Sequence, residues 1–280
     1  MKQVRILIVL LGFFVFFACS SSSTKKEQVS SNVDTVQVFE NKFSIDSVKY
    51  ADSSFYLCSK DLDDTVYADS LWMHIKYNCS YPVTDNPNWQ KARQNILYWI
   101  CDVFGDSTHT NWNNLEQLLR NSGNRTMKCF FSQDRFCTFD HEEDIRLNRI
   151  FENDTLVTFY VLFYEYWGGA HGSDYYEART FNKNTGHQYG FDLLSKYDKK
   201  TLNGFILNGL KEYFGCSSDE ELHDGLFDEV DLNDIPLPST PPYITEDGIE
   251  IVYNRYEIAC YAAGMPSLVI PWKCFLESKN

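Results

Sequence analysis

Basic charge is scarce in this chain. Its 280 residues carry 25 Lys+Arg against 39 Asp+Glu, a formal net charge of −14. No basic stripe is present to exchange counterions with phosphates, which excludes a nucleic-acid partner. Long apolar runs are also lacking. The longest, Ile6 to Ala18, spans 13 residues including one glycine, short of the roughly 20 that cross a bilayer as a helix. No Cys-x-x-Cys pair occurs among the nine cysteines, so neither a zinc ribbon nor a thioredoxin-type site is expected. The six histidines form no HxH or HExxH arrangement, and the chain has no G-x-G-x-x-G, Walker-type or G-x-S-x-G segment. No metal, nucleotide or other cofactor is therefore expected. Apolar side chains are plentiful at 44%, and aromatics reach 16%, which excludes a wholly disordered chain. The length suits one large domain or two of ordinary size.

The N-terminus reads as a processing signal. Lys2 and Arg5 precede the apolar run, which ends Phe16-Phe17-Ala18-Cys19. A short apolar core behind positive charge is a secretory leader, and a small residue followed by cysteine ends a lipoprotein signal. Cys19 is thus the expected lipidation site, with 1–18 as signal peptide, although Phe16 stands where that box usually has Leu. Losing Lys2 and Arg5 with the leader takes the charge from −14 to −16. Residues 19–32 are polar and Ser-rich and read as a tether. These features imply a cell-envelope protein on a lipid anchor. With no acidic run after Cys19, the expected location is the periplasmic face of the outer membrane. Outside the cytosol, the remaining eight cysteines suggest one or two disulfides, with pairing left open.

Beyond the tether, residues 33–81 alternate as strands, with Leu71, Met73, Ile75 and Tyr77 on one face. Asn86-Pro87 opens a helix that Gly105 stops. A second helix is expected from about Trp112 to Arg120, closed near Gly123, with loop and short strands over 124–144. Residues 145–166 read as a hairpin turning at Asn153-Asp154, and its apolar second arm should be a central strand. Gly168, Gly169 and Gly172 break that strand. A strand near Tyr176 to Phe181 enters the Asn182–Gly186 turn. Helices follow at Lys199–Phe214, capped by Gly215, and from Ser218 with Glu221 as capping-box partner. After the proline-rich 236–242, strands are expected near Gly248–Tyr253, Glu257–Ala262 and Ser267–Trp272. The pattern implies an α+β fold of antiparallel sheets with packed helices, in two closely associated subdomains, 33–150 and 151–280.

Tyr164-Glu165-Tyr166-Trp167-Gly168-Gly169-Ala170-His171-Gly172 resembles a segment of the RsiV-type C-terminal domain family. The stretches Thr180-Phe181-Asn182, Thr185-Gly186 and Phe191–Leu194 are similar to that family too. So are Glu246–Ile249, Tyr253, Tyr256-Glu257-Ile258-Ala259, Tyr261–Gly264 and Val269-Ile270-Pro271. Asn78 to Pro82 and the helix after Asn86 resemble the PdaC-type domain that precedes it. The resemblance covers roughly residues 45–275. It implies an exported binding module, since the family includes an anti-sigma factor whose outer part binds lysozyme and a wall deacetylase that carries the domain as a non-catalytic extension. This chain shows no sigma-binding region and ends soon after the domain, so neither relative's whole function is expected to carry over.

The residues expected to meet a partner are Trp167, Gly168, Gly169, His171, Tyr256 and Glu257. The partner is a cationic, lysozyme-like protein or peptidoglycan. The acidic stretch Asp219 to Asp234, without Lys or Arg, would steer such a partner. No catalytic residue is assigned. The competing readings are a wall-active hydrolase using His171 with Glu165 or Asp174, and a purely structural envelope module.

Overall fold

A computed structural model describes residues 41–57, 70–132 and 139–277. The expected signal peptide, Cys19 and the tether lie outside the described residues, as do Cys58 and Cys137. The fold is α+β, as read from the sequence. Among the described residues, nine strands and five helices follow in chain order: β1 Ser44–Leu57, β2 Ser70–Val83, α1 Gln90–Val103, α2 Leu115–Ser132, β3 His141–Glu152, β4 Leu156–Tyr166, β5 Ser173–Asn182, β6 Gln188–Tyr189, α3 Lys199–Phe214, α4 Asp219–Gly225, β7 Tyr243–Ile244, β8 Gly248–Val252, β9 Ser267–Pro271 and α5 Trp272–Glu277. Among the described residues, no helix is long and apolar enough to cross a membrane.

Strands β1 to β6 form one sheet in sequence order, and β7 to β9 form a second. One pairing departs from the antiparallel expectation: β2 and β3 run parallel, Met73 opposite His141 through Cys79 opposite Leu147. A parallel neighbour cannot be reached by a tight turn, and here α1 and α2 lie between the two strands. Both helices cover one face of the sheet. Leu71, Met73, Ile75, Tyr77 and Cys79 point into that core at period two, meeting Ile96, Ile100, Leu118 and Phe130. Asn86 caps a single 3-10 turn ahead of α1, its side chain accepting from the Asn88 amide.

Gly123 does not close α2, which runs nine residues further to Ser132. A Cβ at Gly123 would lie 2.2 Å from the Tyr50 ring, so this glycine serves close approach of helix to strand and not termination. The Glu257–Ala262 strand is likewise absent. Tyr256 has φ +66° and the segment folds as turns ending in a 3-10 turn at Tyr261–Ala263. The six described cysteines are free thiols. Burial pushes Cys101 up to about 12 and raises Cys79 as well, so both stay protonated and inert.

The 150/151 boundary expected between subdomains falls inside β3. The sheet continues through β6, and a second core gathers around α3, α4 and the small sheet, with Ile206, Leu210, Ile249, Ile251 and Ile270 at its centre. A bulge places Ile150 between Arg149, opposite Phe159, and Phe151, opposite Thr158. An extra residue re-phases the alternation, so Leu147 faces the helices while Phe151 packs on the second core.

Two buried polar clusters hold this arrangement, the first of them across the two layers. Thr158 Oγ1 donates to Ile244 O at 2.7 Å, the Ile244 amide donates to Thr180 Oγ1 at 2.8 Å, and the hydroxyls meet at 2.9 Å. Lys183 is 0% exposed, with Nζ donating to Glu152 Oε1 at 2.8 Å, to Asn153 O and to Asn41 O, and lying 3.9 Å from the Trp89 ring centroid. Glu152 also accepts from the Phe43 amide and Arg149.

Replacing Lys183 by Met takes from buried Glu152 one of its two cations, leaving Arg149, and lowers stability by about 1.5–3 kcal/mol, read from urea unfolding. Thr180→Val strands the Ile244 amide and costs about 1–3 kcal/mol. A loss below 0.5 kcal/mol in the same assay, about the size of an ordinary surface substitution, would show that the hydroxyl bridge does not hold the layers.

Candidate functional site

The turn between β4 and β5 and the segment after β8 meet at one place. Gly168 and Gly169 have φ of +96° and +99°, a region open to glycine and little else, and they reverse the chain. Tyr166 OH donates to Gly169 O at 3.0 Å and closes the turn. Gly172 sits where a Cβ would come within 2.5 Å of the Tyr164 ring, which leaves room only for glycine.

His171 leaves this turn exposed and stacks on Tyr261, with ring centroids 3.6 Å apart and planes at 19°. Its Nδ1 lies 2.9 Å from Gly172 O. A carbonyl can only accept, so Nδ1 carries the proton and Nε2 of the neutral ring receives the Tyr256 hydroxyl, 3.4 Å away. Tyr256 is 57% exposed. Left-handed backbone on a residue with a Cβ costs roughly 1–2 kcal/mol, so this ring is held out at a conformational expense.

Arg255 braces the cluster. Its Nε and Nη2 grip Asp174 Oδ2 at 3.1 and 2.7 Å, Nη1 donates to Tyr261 O, and the guanidinium lies 4.2 Å from the Tyr261 ring centroid. The Asp174 bond raises the Arg255 pKa above its ordinary value, so the guanidinium stays charged. Next to it, Asn254 pairs both amide atoms with the Tyr176 backbone, Oδ1 accepting from N at 2.7 Å and Nδ2 donating to O at 3.0 Å.

Of the residues singled out from the sequence, His171 and Tyr256 come together above Gly168 and Gly169. Glu257 turns inward: it accepts from the Asn254 amide at 2.8 Å and from the amide and hydroxyl of Ser239, fixing the loop. Trp167 lies on the helix side, with Nε1 donating to Glu165 at 3.1 Å and its ring 4.8 Å from His141. Asp174 and Glu165 are thus engaged by Arg255 and Trp167. Arg255 was missed by the sequence reading, because nothing in an isolated arginine announces a bidentate partner 81 residues away. The acidic stretch is paired at both ends, Asp219 with Lys211 and Asp234 with Lys199, while Asp224, Asp228 and Glu229 stay exposed. Among the described residues no group of three or more His, Cys, Asp or Glu could hold a metal ion.

A family model described as "Protein of unknown function (DUF3298)" matches residues 192–273. The chain carries a DUF3298 domain. Tyr256, Glu257 and Tyr261 lie within it, while the glycine turn precedes it. A solved member of the DUF3298 family from Bacteroides fragilis is similar in fold, with a TM-score of 0.65 at 19% identity over 84% of this chain and 92% of that one. A DUF3298 family protein from Pseudomonas aeruginosa is similar at a TM-score of 0.52 and 11% identity, over 85% and 95% of the two chains. No curated protein matches. Both structural likenesses span the DUF3298 domain and the larger sheet that precedes it.

Beneath Trp167, His141 is 1% exposed, and neither ring nitrogen has a hydrogen-bond partner among the described residues. Burial holds its pKa below the ordinary 6.5, against the raising influence of Asp140. The native state keeps the ring neutral while the unfolded chain protonates it near its ordinary value. Stability is therefore present above about pH 6.5 and lost as pH falls below it. The urea midpoint should drop between about pH 7 and about pH 5, and His141→Phe should flatten that part of the profile. An unchanged slope in the variant would assign the dependence to other groups.

Proposed function

We propose that this chain is an exported cell-envelope lipoprotein, anchored through Cys19, that binds a protein ligand without acting on it chemically. The ligand class is a cationic hydrolase of the lysozyme type. The observation that carries the reading is the exposed Tyr256–His171–Tyr261 array, braced by the Arg255–Asp174 pair. Tyrosines held rigid at a protein surface make strong interface anchors, since little side-chain entropy is left to lose on binding. The net charge of −14 adds long-range attraction for a basic partner. The resemblance of the Gly168–Gly172 and Tyr256–Ala259 segments to the RsiV-type domain, behind a PdaC-type region, points the same way.

Catalysis is less favoured by the same geometry. His171 Nε2 already receives the Tyr256 hydroxyl, and the nearby carboxylates Glu165 and Asp174 are engaged by Trp167 and Arg255.

Calorimetry with hen-type lysozyme at ~0.15 M salt should give saturable binding by the wild-type chain. Tyr256→Ala should weaken it by about 30-fold, as for an interface hot spot of about 2 kcal/mol. No heat and no retention on immobilised lysozyme would remove this partner.

A further inference from the structure

We propose that a cleft of about 560 Å³ on the helix-side face of β4 and β5 binds a short, neutral oligosaccharide. The size falls among small-ligand sites, roughly 300–1,000 Å³. The cleft opens where α1 ends at Val103 while the strands continue: Trp99 and Val103 form one wall, and Phe163 and Tyr175 the floor. Phe163 and Tyr175 are opposite residues of the antiparallel pair, with ring centroids 5.9 Å apart and planes at 56°. Tyr175 is 39% exposed, so a ring face is open to the apolar C–H face of a sugar.

The polar groups are of both kinds, and their charges decide the ligand class. Glu177 Oε1 accepts from Trp99 Nε1 at 2.9 Å and from Arg179 Nη2 at 2.8 Å. Arg179 also donates from Nη1 to Ala178 O, and its Nε–H is buried with no acceptor among the described residues. Glu165 and Asp102 stand at the cleft with Oε2 of the former bonded to Trp167 and Oδ1 of the latter to His109. An anionic ligand would face Glu165, Asp102 and Glu177. A cationic one would be opposed by the Arg179 guanidinium but drawn by the carboxylates, which makes trilysine the competing ligand. A ligand of hydroxyls and C–H faces carries no charge penalty and uses donors, acceptors and rings together. Gln188, exposed on β6, adds both an amide donor and an acceptor to the same cleft.

This site is separate from the His171–Tyr256 cluster. Ser173, Tyr175, Glu177 and Arg179 point to the helix side of β5, whereas Asp174 and Tyr176 point to the second core. Its test is therefore independent of the proposed protein partner.

The full chain is titrated with the N-acetylglucosamine tetramer, cellotetraose and maltotetraose, followed by calorimetry and tryptophan fluorescence. At least one tetrasaccharide should bind saturably at ~1 mM or below. Tyr175→Ala should weaken that binding about five- to tenfold, the worth of one aromatic stack. Tyr175→Phe, which keeps the ring, should stay within about twofold, and Tyr256→Ala should leave sugar binding unchanged. Each variant's unfolding temperature is read alongside, and the titrations are run where all of them are folded. Three outcomes would overturn the proposal: no saturable binding of any of the three, equal binding by Tyr175→Ala, or a Tyr175-dependent preference for trilysine or an oligoglucuronate.

Discussion

Two threonine hydroxyls set the geometry on which the rest of this molecule depends. The strand β7 is only two residues long, and its Ile244 amide and carbonyl meet the face of the large sheet instead of another strand edge. Thr158 and Thr180, both fully buried, receive them and share a third hydrogen bond. The proton assignment closes without conflict: Thr158 donates to Ile244 O, Thr180 donates to Thr158, and the Ile244 amide donates to Thr180. Once this contact is fixed, the partners of β5 follow at period two. Thr180 meets Ile244, Ala178 and Tyr176 pack with Tyr243 and Val252, the Tyr176 backbone pairs with Asn254, and Asp174 holds Arg255. The exposed tyrosine–histidine array stands at the end of this row. Its position is a consequence of the docking above it and not of local loop preference.

The opposite end of the row is held by charge. Lys183 gives its three donors to Glu152, Asn153 O and Asn41 O. An ammonium with every proton bonded and an aromatic face beside it is the case in which burial of an ion pair is tolerated. The network ties the chain entering β1, the β3–β4 hairpin and the β5–β6 turn to one point. Both ends of β5 are thus pinned by polar contacts, while Tyr176 and Ala178 between them pack with Tyr243 and Val252.

Much of this was legible in the residues, and the exceptions share a cause. Period two showed the buried face of β2, and Gly215 ends α3 as its capping chemistry predicts, since those signals are local. Both residues singled out at the exposed array, His171 and Tyr256, do converge. What sequence could not show are matters of partner. Gly123 reads as a stop until Tyr50 is seen against it. Lys183 reads as a turn residue until Glu152, 31 residues earlier, is found beside it. Glu257–Ala262 has apolar residues at strand spacing, but the left-handed Tyr256 and the Glu257 bonds to Asn254 and Ser239 bend it into turns. The parallel β2–β3 pair required knowing that two helices, one of them longer than its composition suggested, form a crossover.

The glycine turn decides more than its own shape. Along β4 and β5, odd-numbered residues such as Phe163, Glu165, Tyr175 and Arg179 line the helix-side cleft, and even-numbered ones such as Tyr160, Asp174, Tyr176 and Thr180 serve the second core. A slip of one residue between the strands would exchange these sets and destroy both surfaces. The pairing Glu165 opposite Ser173 is the last before the turn, and Gly172 precedes it with Tyr164 lying over the space a Cβ would fill. Gly168 and Gly169 supply the two left-handed steps that bring the chain back in that register. The glycines that drew attention as a candidate ligand-contacting loop therefore have a prior duty: they fix which side chains of one strand face which surface, and the exposed histidine is carried on the device that does so.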